Sequence, residues 1–135
     1  MQLDNERLRE FAARYTAAWC SQDPMSVSAF YSPGASLMIN SRAPARGRDA
    51  ITEVVRSFMT AFPDMRVVMD DLIVRGDRAE YHWTLTGTNS GPGGTGRNVR
   101  ISGFERWRIG TDGLIAASEG HFDEAEYRRQ LEQGA

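Results

Sequence analysis

The sequence contains no lysine; all 16 of its basic residues are arginine. This absence excludes Schiff-base chemistry on a lysine amine and a lysine general base. A single cysteine, Cys20, leaves no partner for an internal disulfide. Cys20 continues an apolar helical pattern, which predicts a buried structural thiol and not a reactive one. Clustered cysteine and histidine spacings are also missing, so we expect no metal site.

The chain also has little net charge and no long hydrophobic run. Its 135 residues suffice for one domain, which we take to span 1–135. A net charge of −2 argues against a nucleic-acid surface or a membrane-binding basic patch. Residues 1–20 are charged and amphipathic, unlike a signal peptide, and no segment approaches the length of a transmembrane span. We therefore expect a cytoplasmic protein.

Hydrophobic spacing predicts helices mainly in the first half of the chain and strands in the second. Asp4 is the predicted cap of the first helix, and Asp23-Pro24 starts a short second helix. Tight-turn sequences separate the four long strands that follow. This order indicates an α+β fold with helices on one face of a curved sheet. The predicted helices are 4–20, 24–30, 49–62 and 123–133, the predicted strands are 35–40, 65–75, 78–89, 99–109 and 113–122, and 32–34 and 41–47 are a turn and a loop.

The strand predicted at 78–89 has two different faces. Tyr81, Trp83 and Leu85 point to one side, whereas His82 lies in a polar row on the other. We interpret the polar row as the wall of a cavity. The glycine-rich segment 90–96 leads into another strand and not into a helix, so it is not a phosphate loop. We expect it to be a mobile loop at the cavity mouth.

Five short motifs resemble those of a known family. They are FPDMRV at 62–67, GDR at 76–78, HWTLTGT at 82–88, TGR at 95–97 and DGLI at 112–115. In this order they resemble the SnoaL-like polyketide cyclases, whose superfamily includes nuclear transport factor 2, ketosteroid isomerase and limonene epoxide hydrolase. The resemblance implies an α+β fold in which a bent mixed or antiparallel sheet forms a cone-shaped barrel around N-terminal helices. It also implies a deep pocket, no cofactor, and a homodimer formed through the outer face of the sheet.

The resemblance also locates the expected catalytic acid. Cyclases of the family use an acidic residue of the last strand as acid and base. Counting back from Asp123 places that position at Gly120, so the usual carboxylate is missing here. Glu119 and His121 flank it and point to the opposite face unless a bulge turns one inward. His121 is a candidate replacement for the carboxylate, and the alternative is a contact at the pocket rim.

Two further residues are candidates for acid–base chemistry. The resemblance places His82 at a pocket position, where the near-neutral pKa of a histidine suits a general base or an oxyanion donor. The alternative is a hydrogen-bonded wall histidine or one at the dimer face. Glu105 shares a strand face with Ile101 and Trp107, where burial raises the pKa of a carboxyl and suits an acid or base. The alternative for Glu105 is a salt bridge to an arginine of a neighbouring strand.

Large side chains, most of them aromatic, recur at buried positions of the predicted helices and strands. Aromatic walls suit flat polycyclic ligands, so we expect some of these residues to bind substrate while most form the core. The candidate substrate-binding residues are Tyr15, Trp19, Tyr31, Met38, Phe58, Phe62, Trp83 and Phe104.

The resemblance and the candidates together predict a cofactor-free cyclase or isomerase. With His82, Glu105 and His121 as catalytic residues, it would move a proton next to a carbonyl of a hydrophobic, polyketide-like small molecule. A non-catalytic small-molecule-binding protein is the alternative, which the glycine at position 120 favours. An epoxide hydrolase is a further alternative, although the Asp-Arg-Asp set of related hydrolases corresponds to His82, Thr84 and Gly120 here.

Overall fold

The computed structural model describes residues 5–135, so the predicted cap at Asp4 lies outside it. The described helices are α1 (Asn5–Trp19), α2 (Pro24–Ser28), α3 (Arg48–Ala61) and α4 (Glu124–Gln133). Asp23 caps α2 by accepting a hydrogen bond from the Met25 N–H, and Asp123 caps α4 by accepting one from the Glu126 N–H. The cap at Asp23 confirms the predicted start of the second helix, and Asp123 stands at the predicted first residue of the last helix. Within 5–135, none of the helices is long and apolar enough to cross a bilayer.

The strands of the described chain form one mixed sheet. They are β1 (Tyr31–Ile39), β2 (Ala45–Arg46), β3 (Arg66–Arg75), β4 (Arg78–Thr88), β5 (Asn98–Ile109) and β6 (Ile115–Phe122). Their order across the sheet is β2-β1-β6-β5-β4-β3. Strands β1 and β6 run parallel, and the other neighbouring strands are antiparallel. The helices pack on one face, which confirms the predicted α+β class.

Two segments predicted to be irregular belong to the sheet. Residues 32–34 lie inside β1 and are not a separate turn. The pairing of β1 with β6 shifts register between Tyr31 and Ser36, and this irregularity accommodates a proline and a glycine. The predicted loop 41–47 contains β2, which pairs Ala45 with Leu37. Two-residue strands lack a detectable alternation, so the sequence pattern did not reveal β2.

The inner face of the sheet packs against α1 and α3 around an aromatic core. Tyr15, Tyr31, Tyr81 and Trp107 are almost completely buried. Tyr81 stacks on Trp107 with ring centroids 4.9 Å apart, and Tyr15 meets Trp107 edge-on at 5.1 Å. The tyrosines carry hydroxyl groups into this core, and each buried hydroxyl needs a hydrogen-bond partner.

Cys20 is exposed, so the prediction of a buried thiol is wrong. Helix α1 ends at Trp19, and Cys20 therefore no longer follows the helical spacing of the apolar stripe. Its Sγ contacts the backbone of Val67, accepting from the N–H at 3.3 Å and donating to the carbonyl at 3.4 Å.

The glycine-rich segment 90–96 is held against the end of α3. The side-chain amide of Asn89 donates to the Ala61 carbonyl and accepts from the Thr95 N–H. A Cβ atom at Gly91 would lie 1.9 Å from the Thr60 carbonyl oxygen, so only glycine allows this approach. The segment lines no part of the cavity beneath the sheet, so the expectation that it stands at the cavity mouth is wrong.

Candidate functional site

A cavity lies between the inner face of the sheet and helices α1, α3 and α4. Its volume is about 70 Å³, roughly half that of an engineered ~150 Å³ apolar cavity that binds benzene. Any ligand of the size of one six-membered ring or larger therefore enters only if lining side chains move. The lining residues are Trp19, Leu37, Ile39, Phe58, Phe62, Val67, Tyr81, Trp83, Leu85, Ile101, Glu105, Gly120, Phe122 and Tyr127.

Glu105 brings a carboxylate into this apolar lining. The alternation of β5 places it on the inner face, as predicted, and the residue is only 8% exposed. Four donors lie within hydrogen-bond distance of its Oε1. They are the hydroxyl groups of Ser118 (2.8 Å), Tyr15 (2.9 Å) and Tyr31 (3.4 Å) and the indole N–H of Trp107 (3.1 Å). The Tyr31 hydroxyl also lies 2.9 Å from the Tyr15 hydroxyl, and these two groups share their protons between each other and the carboxylate.

The two oxygens of the Glu105 carboxylate are in different environments. Oε1 faces these four donors, whereas Oε2 is 3.3 Å from the Tyr15 hydroxyl. Oε2 is therefore the more weakly hydrogen-bonded of the two oxygens. The alternative of a salt bridge is not realised within residues 5–135, where Arg100, Arg106 and Arg108 lie on the outer face of β5.

Burial raises the pKa of Glu105, because a charged carboxylate is poorly solvated there. The hydrogen bonds from Trp107, Ser118, Tyr15 and Tyr31 oppose this effect without cancelling it. Burial and the nearby carboxylate also hold the pKa values of Tyr15 and Tyr31 well above their usual range. The tyrosines therefore stay protonated as donors, while the carboxyl becomes a stronger base than an exposed glutamate.

Gly120 lies directly opposite Glu105 in the β5–β6 pair and also lines the cavity. Glu119 and His121 point to the other face, as predicted from strand alternation. The irregularity in this strand pair lies between Arg108 and Ile109, so no bulge turns His121 inward.

His82 and His121 lie together on the outer face of the sheet. Phe104 stands between them, with its ring centroid 5.5 Å from His82 and 5.1 Å from His121. His82 Nε2 is 3.1 Å from Glu80 Oε1. Neither histidine lines the cavity, so the expectation that the polar row of β4 forms its wall is wrong. The cavity wall is formed by the apolar row of the same strand, because the cavity lies on the inner face of the sheet together with the core.

The structure divides the predicted substrate-binding residues into three groups. Trp19, Phe58, Phe62 and Trp83 line the cavity. Tyr15 and Tyr31 lie behind it and contact Glu105. Met38 and Phe104 pair with outer-face residues of β6 and β4 and do not reach the cavity. Sequence reasoning missed other lining residues, which include Leu37, Ile39, Val67, Tyr81, Leu85, Ile101, Phe122 and Tyr127.

Three solved structures illustrate the similarity of this fold to known proteins. TsrD from Streptomyces laurentii has a TM-score of 0.83 and 24% identity over 96% of this chain and 98% of its own. A candidate SnoaL-like polyketide cyclase from Jannaschia sp. CCS1 has a TM-score of 0.85 and 17% identity over 100% and 99%. SalBIII is an epoxide hydrolase/cyclase-like enzyme with a role in pyran ring formation in the polyether salinomycin. It has a TM-score of 0.78 and 17% identity over 91% of this chain and 95% of its own.

The sequence itself matches a family model over most of its length. No match is found among curated proteins. The model of the SnoaL-like domain matches residues 12–118, which extends from the middle of α1 to the middle of β6. The described fold, with N-terminal helices on a six-stranded mixed sheet, agrees with this match. The chain therefore belongs to the SnoaL-like domain family, with the nuclear transport factor 2-like fold.

Proposed function

We propose that this protein is an acid–base enzyme that moves a proton next to a carbonyl of a small hydrophobic molecule. The observation that carries the proposal is the Glu105 carboxylate, which is buried beside an apolar cavity with Oε1 facing four donors and Oε2 more weakly hydrogen-bonded. Burial raises the pKa of Glu105 towards the range useful for a general base. The hydrogen bonds at Oε1 hold the carboxylate in one orientation, so the catalytic base is already ordered before a ligand binds.

In the proposed step, Glu105 Oε2 takes a proton from the carbon next to the carbonyl. The electron pair of the broken C–H bond moves into a new C=C bond, and the carbonyl π electrons move to oxygen as an enolate. In a substrate that already carries a β,γ double bond the enolate extends over that bond, and return of the proton to the γ carbon gives the α,β-unsaturated isomer. Attack of the enolate carbon on a second carbonyl of the same molecule closes a ring, and the Glu105 proton then neutralises the alkoxide.

The enolate oxygen requires a hydrogen-bond donor in the cavity. Trp83 and Tyr127 both line the cavity, and each carries a donor, an indole N–H and a hydroxyl. Burial raises the pKa of Tyr127, so its hydroxyl stays protonated as a donor. These two groups are the candidates for orienting the carbonyl.

The test is solvent deuterium incorporation next to the carbonyl of small cyclic ketones and 1,3-diketones, followed by NMR in D₂O. The wild type should accelerate exchange, and Glu105→Gln should lose about 10²- to 10⁴-fold of that rate. Glutamine keeps an acceptor oxygen for the four donors, so the fold should persist. His121→Gln, on the outer face, is the matched control and should retain the wild-type rate. Equal rates in wild type and Glu105→Gln contradict the proposal.

A non-catalytic binding protein is the second candidate. The observation that favours it is the saturated Oε1, because a carboxylate with four donors also satisfies the buried hydroxyls of Tyr15 and Tyr31 in a purely structural way. Ligand binding with no deuterium exchange would select this function. Epoxide hydrolysis receives no support, since His82 and Thr84 lie on the outer face and Gly120 has no side chain.

We also propose that two copies associate through the outer face of the sheet. Val68 and Ile73 on β3 are 58% and 40% exposed, and they pair with the outer-face residues Thr84 and Glu80. Sedimentation of Val68→Glu/Ile73→Glu should show a monomer where the wild type is a dimer. Met25→Glu is the control, because Met25 is an equally apolar exposed residue on α2. A wild-type monomer contradicts this proposal.

A further inference from the structure

Gly120 is a glycine that its own backbone does not require. Its φ is not among the positive values found at other glycines such as Gly47 and Gly76. A Cβ atom built on it would lie 3.6 Å from the Met38 carbonyl oxygen and 3.8 Å from Glu105 Cγ, which are ordinary contacts. By contrast, a Cβ atom at Gly103 would lie 2.3 Å from a backbone oxygen.

The space left by the missing side chain belongs to the cavity. Gly120 and Glu105 are directly opposed across β5 and β6, so any side chain at position 120 would project beside the carboxylate. Both residues line the cavity. In a cavity of about 70 Å³, one added methyl group removes a large share of the room next to Glu105.

We propose that Gly120 is a specificity-determining residue, which admits a ring or a branched carbon to the space beside Glu105. This inference rests on the proposed function. The substrate class it names is a carbonyl compound whose acidic C–H belongs to a single ring or a branch point. A linear ketone would need less room than Gly120 provides.

Thermal unfolding tests the empty space without a ligand. Gly120→Ala should melt at a higher temperature than the wild type, because a methyl group fills an apolar cavity and alanine lowers the entropy of the unfolded chain. Gly34→Ala is the matched control, since Gly34 lies exposed in β1 with no atom within 4 Å of a built Cβ and no positive φ. The melting temperature of Gly34→Ala should rise only by the amount that comes from the lower entropy of the unfolded chain. A smaller gain in Gly120→Ala than in Gly34→Ala, or a loss, overturns the inference.

NMR titration with cyclohexanone and acetone tests the specificity. Gly120→Ala should weaken cyclohexanone binding about tenfold or more and leave acetone binding within about threefold, since one methyl group in an apolar pocket has effects of this size. Gly34→Ala should bind both as the wild type does. An unchanged cyclohexanone affinity in Gly120→Ala overturns the role of Gly120 while the deuterium-exchange result for Glu105 stands. A wild type that binds neither ketone overturns the ligand class and, with it, the proposed function.

Discussion

The Tyr15 hydroxyl donates a 2.9 Å hydrogen bond to Glu105 Oε1, although the two residues are 90 positions apart in the sequence. This contact joins helix α1 to strand β5 at the buried end of the cavity. Because it favours the charged carboxylate, it lowers the pKa of Glu105 against the larger effect of burial. The tyrosine therefore links the stability of the fold to the basicity of the candidate catalytic group.

Tyr15→Phe should raise the pKa of Glu105 further and lower stability. At a pH where the carboxylate is ionised, we expect a loss of about 1.5–3 kcal/mol in the free energy of unfolding, the usual range for a hydrogen bond to a charged group. Urea unfolding measures this loss. Exchange by a general base rises with pH as the base ionises, so this limb on the acid side of the pH profile should move to higher pH.

Tyr31→Phe is the matched control for this substitution. Its hydroxyl lies 3.4 Å from Oε1 and 2.9 Å from the Tyr15 hydroxyl, so it contributes less directly to the carboxylate. For Tyr31→Phe we expect a smaller loss in the free energy of unfolding and a smaller shift of the pH profile, both in the same direction as for Tyr15→Phe. A Tyr15→Phe profile that moves to lower pH would contradict the assigned direction of the hydrogen bond.

The ionisation of Glu105 should make the native state less stable as pH rises. Its native pKa is raised above the ordinary value of 4.5. Between these two pKa values the native state binds more protons than the unfolded state, so the free energy of unfolding falls with increasing pH. This contribution is fully present below the unfolded pKa and is lost as pH passes the native pKa.

Glu105→Gln isolates this effect from other carboxylates. Asp64 works in the opposite direction, because hydrogen bonds from Thr88 lower its pKa and its contribution is lost as the pH falls. Each protein gives a curve of the free energy of unfolding against pH. Subtracting the Glu105→Gln curve from the wild-type curve removes the contributions that both proteins share. The difference should decrease with rising pH above 4.5; a flat or rising difference contradicts the raised pKa.

Strand alternation was sufficient to find Glu105. In β5 the apolar residues Ile101 and Trp107 fix which side is buried, and a carboxylate at the same parity must share that side. The same argument placed Gly120 on the face opposite to His121, which the structure confirms. Period-two patterns carry this information because each side chain has only two possible directions.

The sequence pattern did not reveal which face of β4 borders the cavity or which groups contact Glu105. A polar row around His82 resembles a functional wall, but an apolar inner face serves both as core and as cavity wall. Tyr127 was missed because α4 is rich in charge and only one stripe of it touches the sheet. Tyr15 and Ser118 reach Glu105 from distant positions, and local periodicity contains no information on such contacts.

Gly91→Ala should destabilise the protein although residue 91 is far from the proposed chemistry. The new Cβ would lie 1.9 Å from the Thr60 carbonyl oxygen, so the segment or the end of α3 must move. We expect a loss of about 1–3 kcal/mol, as for overpacked sites, measured by thermal or urea unfolding. Gly34→Ala again serves as the control. A Gly91→Ala protein as stable as the wild type would show that the segment is not held against α3.

Replacing both outer-face histidines should leave deuterium exchange nearly unchanged. His82 and His121 contact Phe104 on the side of the sheet that faces away from the cavity, and neither lies among its lining residues. Their side chains therefore cannot reach a proton held at Glu105 Oε2 without crossing the sheet. The rate for His82→Gln/His121→Gln should stay within about threefold of wild type, against the 10²- to 10⁴-fold range typical of a lost general base.

The same double variant also tests the outer face as an interface. If the substitutions change the association of two copies, sedimentation will detect it. Exchange rates compared between samples in the same oligomeric state then separate an effect of association from an effect on the chemistry. A large loss of exchange in a variant that remains folded and keeps its oligomeric state would place acid–base chemistry on the outer face. It would also make Glu105 a structural carboxylate, because the sheet separates the two sites and one small ligand cannot contact both.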